Sequence, residues 1–170
     1  MDSQMEYEFV VVGGGSAGYA GARTAVDLGL RAAVIEGGNK VGGLCILRGC
    51  MPSKTLLESA RRFRVLQRAE EFGLALNDPR FDVGAIIERK KRLIGEFADY
   101  RKGQLEAGRF DFIRGAAVFL SPNEVCVHQL DGTERIIRSK TFLLATGSKI
   151  AVPPVSGLAE AGCLTSDDML

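Results

Sequence analysis

Two groups of residues in the N-terminal third have the types and spacing to do chemistry. The first is Gly13-x-Gly15-x-x-Gly18, with Glu36 about 20 residues further on. In such a turn the first glycine permits a tight bend. The second lets a pyrophosphate approach the backbone, and the third lets helix and strand pack closely. Ser16 and Ala17 fall at the start of the following helix, where unpaired N–H groups carry partial positive charge toward phosphate. A carboxylate at Glu36 can accept hydrogen bonds from both hydroxyls of a ribose. An ordinary glycine turn would need none of this context, so the combination implies a bound dinucleotide.

The second group is Cys45 and Cys50, inside Gly42-Gly43-Leu44-Cys45-Ile46-Leu47-Arg48-Gly49-Cys50-Met51-Pro52-Ser53-Lys54. The CxxxxC spacing differs from the CxxC of zinc sites and thioredoxin-like motifs, and no metal-ligand set is read from it. Cα atoms five residues apart in a regular helix are about 8.6 Å apart, whereas a disulfide wants roughly 4.4–6.8 Å. A Cys45–Cys50 bridge therefore needs an irregular turn, which Gly49 eases. Pro52 is tolerated only in the first turn of a helix, placing Cys50 at or near a helix start. A helix start favours an anion, and the thiolate is the form of cysteine that attacks disulfides. Cys126, in a β segment, and Cys163, near the end, read instead as reduced thiols without a role.

These motifs need elements to hold them. Glu6 to Val12 reads as a strand, Ser16 to Leu28 as a helix packing through Ala17, Ala20, Ala25 and Leu28, and Leu30 to Glu36 as a second strand. Strand, glycine turn, helix and strand make one βαβ unit, whose right-handed crossover sets the strands parallel. A helical region follows with Leu56, Ala60, Phe63 and Leu66 at steps of four and three. A second carries Val83, Ile86, Ile87, Ile94 and Phe97 on one side, with Arg89-Lys90-Lys91-Arg92 reading as a solvated face. Short β segments then cover Phe110 to Ile113, Ala116 to Leu120, Glu124 to Gln129 and Glu134 to Arg138, separated by turn residues. Phe142 to Ala145 is continuously apolar, the pattern of a strand buried on both faces. It runs into Thr146-Gly147-Ser148, and Pro153-Pro154 reads as a linker.

Composition fits a soluble α/β domain. Of 170 residues, 46% are hydrophobic and 25% charged, near globular averages, which argues against disorder. A net charge of +1 gives no electrostatic footprint for nucleic acid or an anionic membrane. No apolar run approaches the ~20 residues of a spanning helix. The acidic start Met1 to Glu8 is unlike a signal peptide, so the four cysteines are expected in a reducing cytoplasm. Eleven of the 21 glycines precede residue 50, where bare backbone is needed.

Gly42 to Lys54 resembles the active-site signature of the class I pyridine nucleotide-disulfide oxidoreductases, which include dihydrolipoamide dehydrogenase, glutathione reductase and mercuric reductase. The N-terminal fingerprint and Ala145-Thr146-Gly147-Ser148 resemble that family's two FAD motifs in the same order. The resemblance implies a Rossmann-like FAD-binding domain over residues 1–152, a central parallel sheet with helices plus an antiparallel β-meander. Residues 153–170 would be a linker toward an NAD(P)-binding domain. It further implies a Cys45–Cys50 pair cycling between disulfide and dithiol, Cys50 being the flavin-proximal thiol of the charge-transfer complex and Cys45 the interchange thiol. By the same resemblance Lys54 sits beside the flavin ring, Gly43 belongs to the FAD site, Thr146 and Gly147 lie toward the phosphates, and the Ala117 backbone faces adenine.

Two positions depart from the family, which usually has threonine at Leu44 and asparagine at Leu47. Pro52-Ser53-Lys54 followed by Leu56-Leu57 is closer to dihydrolipoamide dehydrogenases and mercuric reductases than to glutathione reductases. No second GxGxxG is present. His128, the one histidine, lies in a β segment without the glutamate of the family's His–Glu base, and reads as structural or surface. The implied whole enzyme is a homodimer moving electrons between NAD(P)H, FAD, the cysteine pair and a dithiol or disulfide substrate, most like dihydrolipoamide dehydrogenase. The 170 residues alone are expected to be inactive. The alternatives are a mercuric reductase-like enzyme with the pair as a thiolate clamp, and a dinucleotide-binding module without turnover.

Overall fold

The computed structural model describes residues 6–158 and 160–170; the first five residues of the acidic N-terminal stretch lie outside the described residues. Strand β1 (Tyr7–Val12) leads through the glycine turn into helix α1 (Ser16–Asp27) and strand β2 (Ala32–Glu36). Helices α2 (Gly43–Leu47), α3 (Cys50–Gln67) and α4 (Val83–Glu106) follow, then strands β3 (Asp111–Ser121), β4 (Glu124–Gln129) and β5 (Glu134–Leu144), and the short helix α5 (Ser166–Met169). A 3-10 turn at Ala69–Phe72 follows α3.

The expected α/β class and its two sheet types are both present. β1 pairs in parallel with β2 and β5, and β2 pairs in parallel with the start of β3. β3, β4 and β5 form the antiparallel meander. The five separate segments expected after Phe110 are only three strands, because β3 and β5 each run continuously from the parallel sheet into the meander. This sharing closes the five strands into a ring in the order β1-β2-β3-β4-β5. Tyr7, Val10, Ala33, Ile35, Ile113, Val125, Val127 and Ile137 form one core. A second core joins the sheet to the helices through Val11, Ala22, Ala25, Ala32, Val34, Val41, Leu105 and Phe110. β2 contributes alternate residues to both cores, as a central parallel strand must.

Burial corrects several sequence expectations. In α1 the packed face is Gly18, Ala22 and Ala25, while Ala17 and Ala20 are exposed and Leu28 is 74% exposed. Gly18 sets that face: a Cβ there would meet the Gly13 carbonyl oxygen at 1.8 Å, so this residue must lie against β1. The end of β5 is not buried on both faces, since Leu144 is 66% exposed. Helix α1 covers β1 and β2 and touches β5 only lightly, and α4 touches β3 only lightly.

Helices α3 and α4 pack on each other and on α2 more than on the sheet. Within α3 the buried residues are Pro52 and Thr55; Ala60 and Leu66 of the expected apolar stripe are exposed, with Leu56 and Phe63 half-buried. In α4 only Leu105 is buried; Ile86, Ile87 and Ile94 are half-buried, and Val83 and Phe97 exposed. The basic run is mostly solvated, with Lys91 and Arg92 paired to Glu88 and Glu96 along the helix. Arg89 reaches across to donate to the Thr55 carbonyl at 3.2 Å.

Candidate active site

The three fingerprint glycines are bare for different reasons. Gly13 has φ +108, and a Cβ there would lie 2.3 Å from the Ala145 carbonyl oxygen, so the fold itself requires glycine. Gly18 is required by its contact with Gly13. Gly15 has an ordinary φ of −68, and a Cβ there would meet only the Gly43 Cα, at 3.6 Å. The protein's own packing does not demand glycine at position 15. The space above it is open, as a backbone that receives a phosphate should be.

Gly15 caps α1 without any side-chain hydrogen bond, and the first turn holds no acidic residue. The leading N–H groups of this 12-residue helix are thus left for an anion. At the other side of the turn, Glu36 accepts the Gly14 N–H at 2.7 Å through Oε2 and the Gly38 N–H at 2.6 Å through Oε1. Each oxygen retains a lone pair for a further donor. Residue type alone does not mark Gly38; its place two residues after Glu36, where its N–H can turn back to the carboxylate, is the signal that it fixes that group.

A cleft of about 900 Å³ joins these features. Gly13, Gly15, Ser16, Ala17, Glu36, Gly43, Cys45, Ala117, Thr146 and Gly147 all line it. Gly18 lies buried beneath, and Cys50 and Lys54 are not part of the wall. Leu44 and Leu47, the two departures from the family signature, do line it, so apolar side chains stand where the family usually has polar ones. Arg48 and Lys149 also line the cleft and carry charge that the motif reading did not use.

The cysteines sit at the junction of α2 and α3. Cys50 occupies the first position of α3, as Pro52 implied, with Gly49 as the irregular link. Both thiols are free, Cys45 half-buried and Cys50 exposed. Their side chains are within hydrogen-bonding reach, and this bond to Cys50 is the main influence holding the Cys45 thiol above its ordinary pKa, followed by burial. The Lys54 ammonium and the Ser16 hydroxyl act in the opposite direction. Cys50 and burial thus oppose ionisation of Cys45, whereas Lys54 and Ser16 favour it. Ser16 links the two motifs, since it opens α1 and also touches Cys45.

The sequence pattern of the family described as Pyridine nucleotide-disulphide oxidoreductase matches residues 7–169, nearly the whole chain. The chain belongs to this family. It is 34% identical over 157 residues to the dihydrolipoyl dehydrogenase of Acholeplasma laidlawii, an alignment covering 92% of this chain and 45% of that protein. To dihydrolipoyl dehydrogenase 1, mitochondrial, of Arabidopsis thaliana it is 30% identical over 166 residues, covering 97% of this chain and 33% of that protein. The solved structure of the HOCl-induced flavoprotein disulfide reductase RclA from Escherichia coli superposes with a TM-score of 0.71 at 28% identity, covering 90% of this chain and 31% of that one. The chain thus spans less than half the length of these relatives.

Family membership implies FAD as the cofactor of this domain. The residues fit it: open space over Gly15, an uncapped helix start, and a Glu36 carboxylate held in place by two backbone donors. Among the described residues no helix is long and apolar enough to cross a membrane.

Proposed function

We propose that this chain is the FAD-binding domain, over residues 1–152, of an enzyme that exchanges electrons between NAD(P)H and a dithiol or disulfide substrate of the dihydrolipoamide type. The observation that carries the reading is a single cleft whose wall includes both the dinucleotide turn, with Glu36, and Cys45. Residues 153–170 act as the linker to an NAD(P)-binding domain, and the working enzyme is a homodimer in the cytoplasm. The homodimer and the NAD(P)H partner rest on family membership. The location rests on the four free cysteines.

In this reading Gly13, Gly15, Ser16, Ala17 and Gly18 seat the pyrophosphate, Glu36 holds the ribose, and Gly43, Ala117, Thr146 and Gly147 complete the cofactor's walls. When bound, FAD supplies the relay of electron pairs between NAD(P)H and the cysteine pair. The Cys45 thiolate attacks one sulfur of the substrate disulfide; that S–S bond breaks and the departing sulfur takes a proton. Cys50 then attacks the Cys45 sulfur of the mixed disulfide, releasing the second substrate thiol with a proton and leaving a Cys45–Cys50 disulfide. Two electrons pass to the substrate, and the reverse sequence oxidises a dithiol. Lys54 and Ser16 favour the Cys45 anion that the first attack requires. The resemblance makes Cys50 the sulfur nearer the flavin. Its place at the first position of α3, where a helix start favours an anion, supports Cys50 as the charged partner.

Purification of the protein followed by addition of FAD tests this reading. A yellow protein that retains FAD through gel filtration is expected. A protein that stays colourless after FAD is added overturns it.

A further inference from the structure

Three side chains on the outer face of the meander converge without any part in the cofactor cleft. Cys126 and His128 are two residues apart on β4, so they point to the same side of the sheet. Glu134 on β5 pairs directly with His128 in the register, and Cys126 stands on the diagonal, within reach of a long side chain. The potential ligand atoms of all three lie within 4.8 Å of one another, and His128 Nδ1 is 3.0 Å from Glu134 Oε1. His128 and Glu134 are exposed while Cys126 is buried between strands, giving a floor of sulfur and two arms that reach it from the solvent side. The β3 neighbours on this face are Ala116 and Val118, and the small Ala116 beside His128 leaves room above the sheet.

We propose that Cys126, His128 and Glu134 bind one Zn²⁺ ion. Bond lengths of about 2.0–2.3 Å in a tetrahedral site put ligand atoms roughly 3.3–3.6 Å apart. The group needs to contract by about 1.5 Å at most, which rotation of the two exposed side chains provides. Thiolate, imidazole and carboxylate are the donors zinc accepts, and the two anionic ones balance its charge. Binding exchanges the Cys126 thiol proton for the metal and leaves a fourth position to water. The ion would clasp β4 to β5 at their turn, a structural role separate from the cysteine pair.

A cobalt titration tests the proposal in the chain carrying Cys45→Ser, Cys50→Ser and Cys163→Ser, where Cys126 is the one thiol left. One Co²⁺ per chain is expected, with a sulfur-to-cobalt charge-transfer band that Zn²⁺ abolishes. His128→Ala and Glu134→Gln change exposed side chains and leave the fold in place. Each is expected to weaken binding at least about tenfold, since even residues behind a metal's ligands cost that much. Absence of the band, or equal affinity in both variants, overturns the site. Neither result depends on FAD binding, so failure here is distinguishable from failure of the proposed function.

Discussion

The backbones of Gly15 and Gly43 meet: a Cβ on Gly43 would lie 2.7 Å from the Gly15 Cα, and Gly43 has φ +67. Through this contact the dinucleotide turn and the cysteine segment are built as one piece, although 28 residues separate them in the chain. Cys45 and the glycine turn can line one cleft only if these two loops approach without side chains between them.

That relationship predicts opposite behaviour for two similar substitutions. Gly43→Ala meets both a strained φ and a backbone contact, and is expected to cost about 2–4 kcal/mol of stability. Gly15→Ala has an ordinary φ and a van der Waals contact at 3.6 Å. It is expected to cost about 1 kcal/mol or less, while FAD affinity falls at least about tenfold, or 1.4 kcal/mol. Thermal unfolding without FAD and equilibrium binding of FAD check the two halves. Equal destabilisation by both would remove the distinction between the glycines.

The hydrogen bond between the cysteines predicts a pH profile. Cys45 is held above the ordinary thiol range chiefly by Cys50, so its alkylation by iodoacetamide should rise at higher pH than that of an ordinary cysteine. Cys50→Ala removes that influence and moves the profile down in pH. Lys54→Met removes an opposing cation and moves it up. Profiles that coincide in all three proteins would contradict the geometry of the pair.

Tyr7 gives a second titration, far from the cleft. Burial and its 2.5 Å hydrogen bond to Asp111 Oδ2 push its pKa from 10.0 to about 12. Its contribution to stability is complete below pH 10.0 and is lost as pH rises through about 12. Absorbance of tyrosinate should therefore show one of the three tyrosines ionising late, and Tyr7→Phe should remove that phase at a cost of about 1 kcal/mol. A single phase at the ordinary value would show that Tyr7 is not buried.

Much of the site is legible in the sequence because its parts are local. The strand–turn–helix at Val12 to Gly18, the helix start at Cys50 and Glu36 at a strand end each follow from residue type and spacing. What escapes local reading depends on long-range packing. The apolar spacing in α1 fits Ala17 and Ala20 as well as Gly18 and Ala22, and only the approach of β1 selects the second set. Arg114 and Ser139 lie inside long strands that change sheets, and nothing near them announces that β3 and β5 continue through. The meeting of Cys126, His128 and Glu134 likewise needs the register of β4 against β5, which the turn residues between them do not specify.

The redox role of Cys45 and Cys50 is tested most directly by mapping alkylated cysteines in the FAD-loaded, air-oxidised protein before and after one two-electron equivalent of dithionite. Cys45 and Cys50 should be protected before reduction and labelled after it, with Cys126 and Cys163 unchanged. Equal labelling of Cys45 and Cys50 before and after would contradict a disulfide that cycles with the flavin.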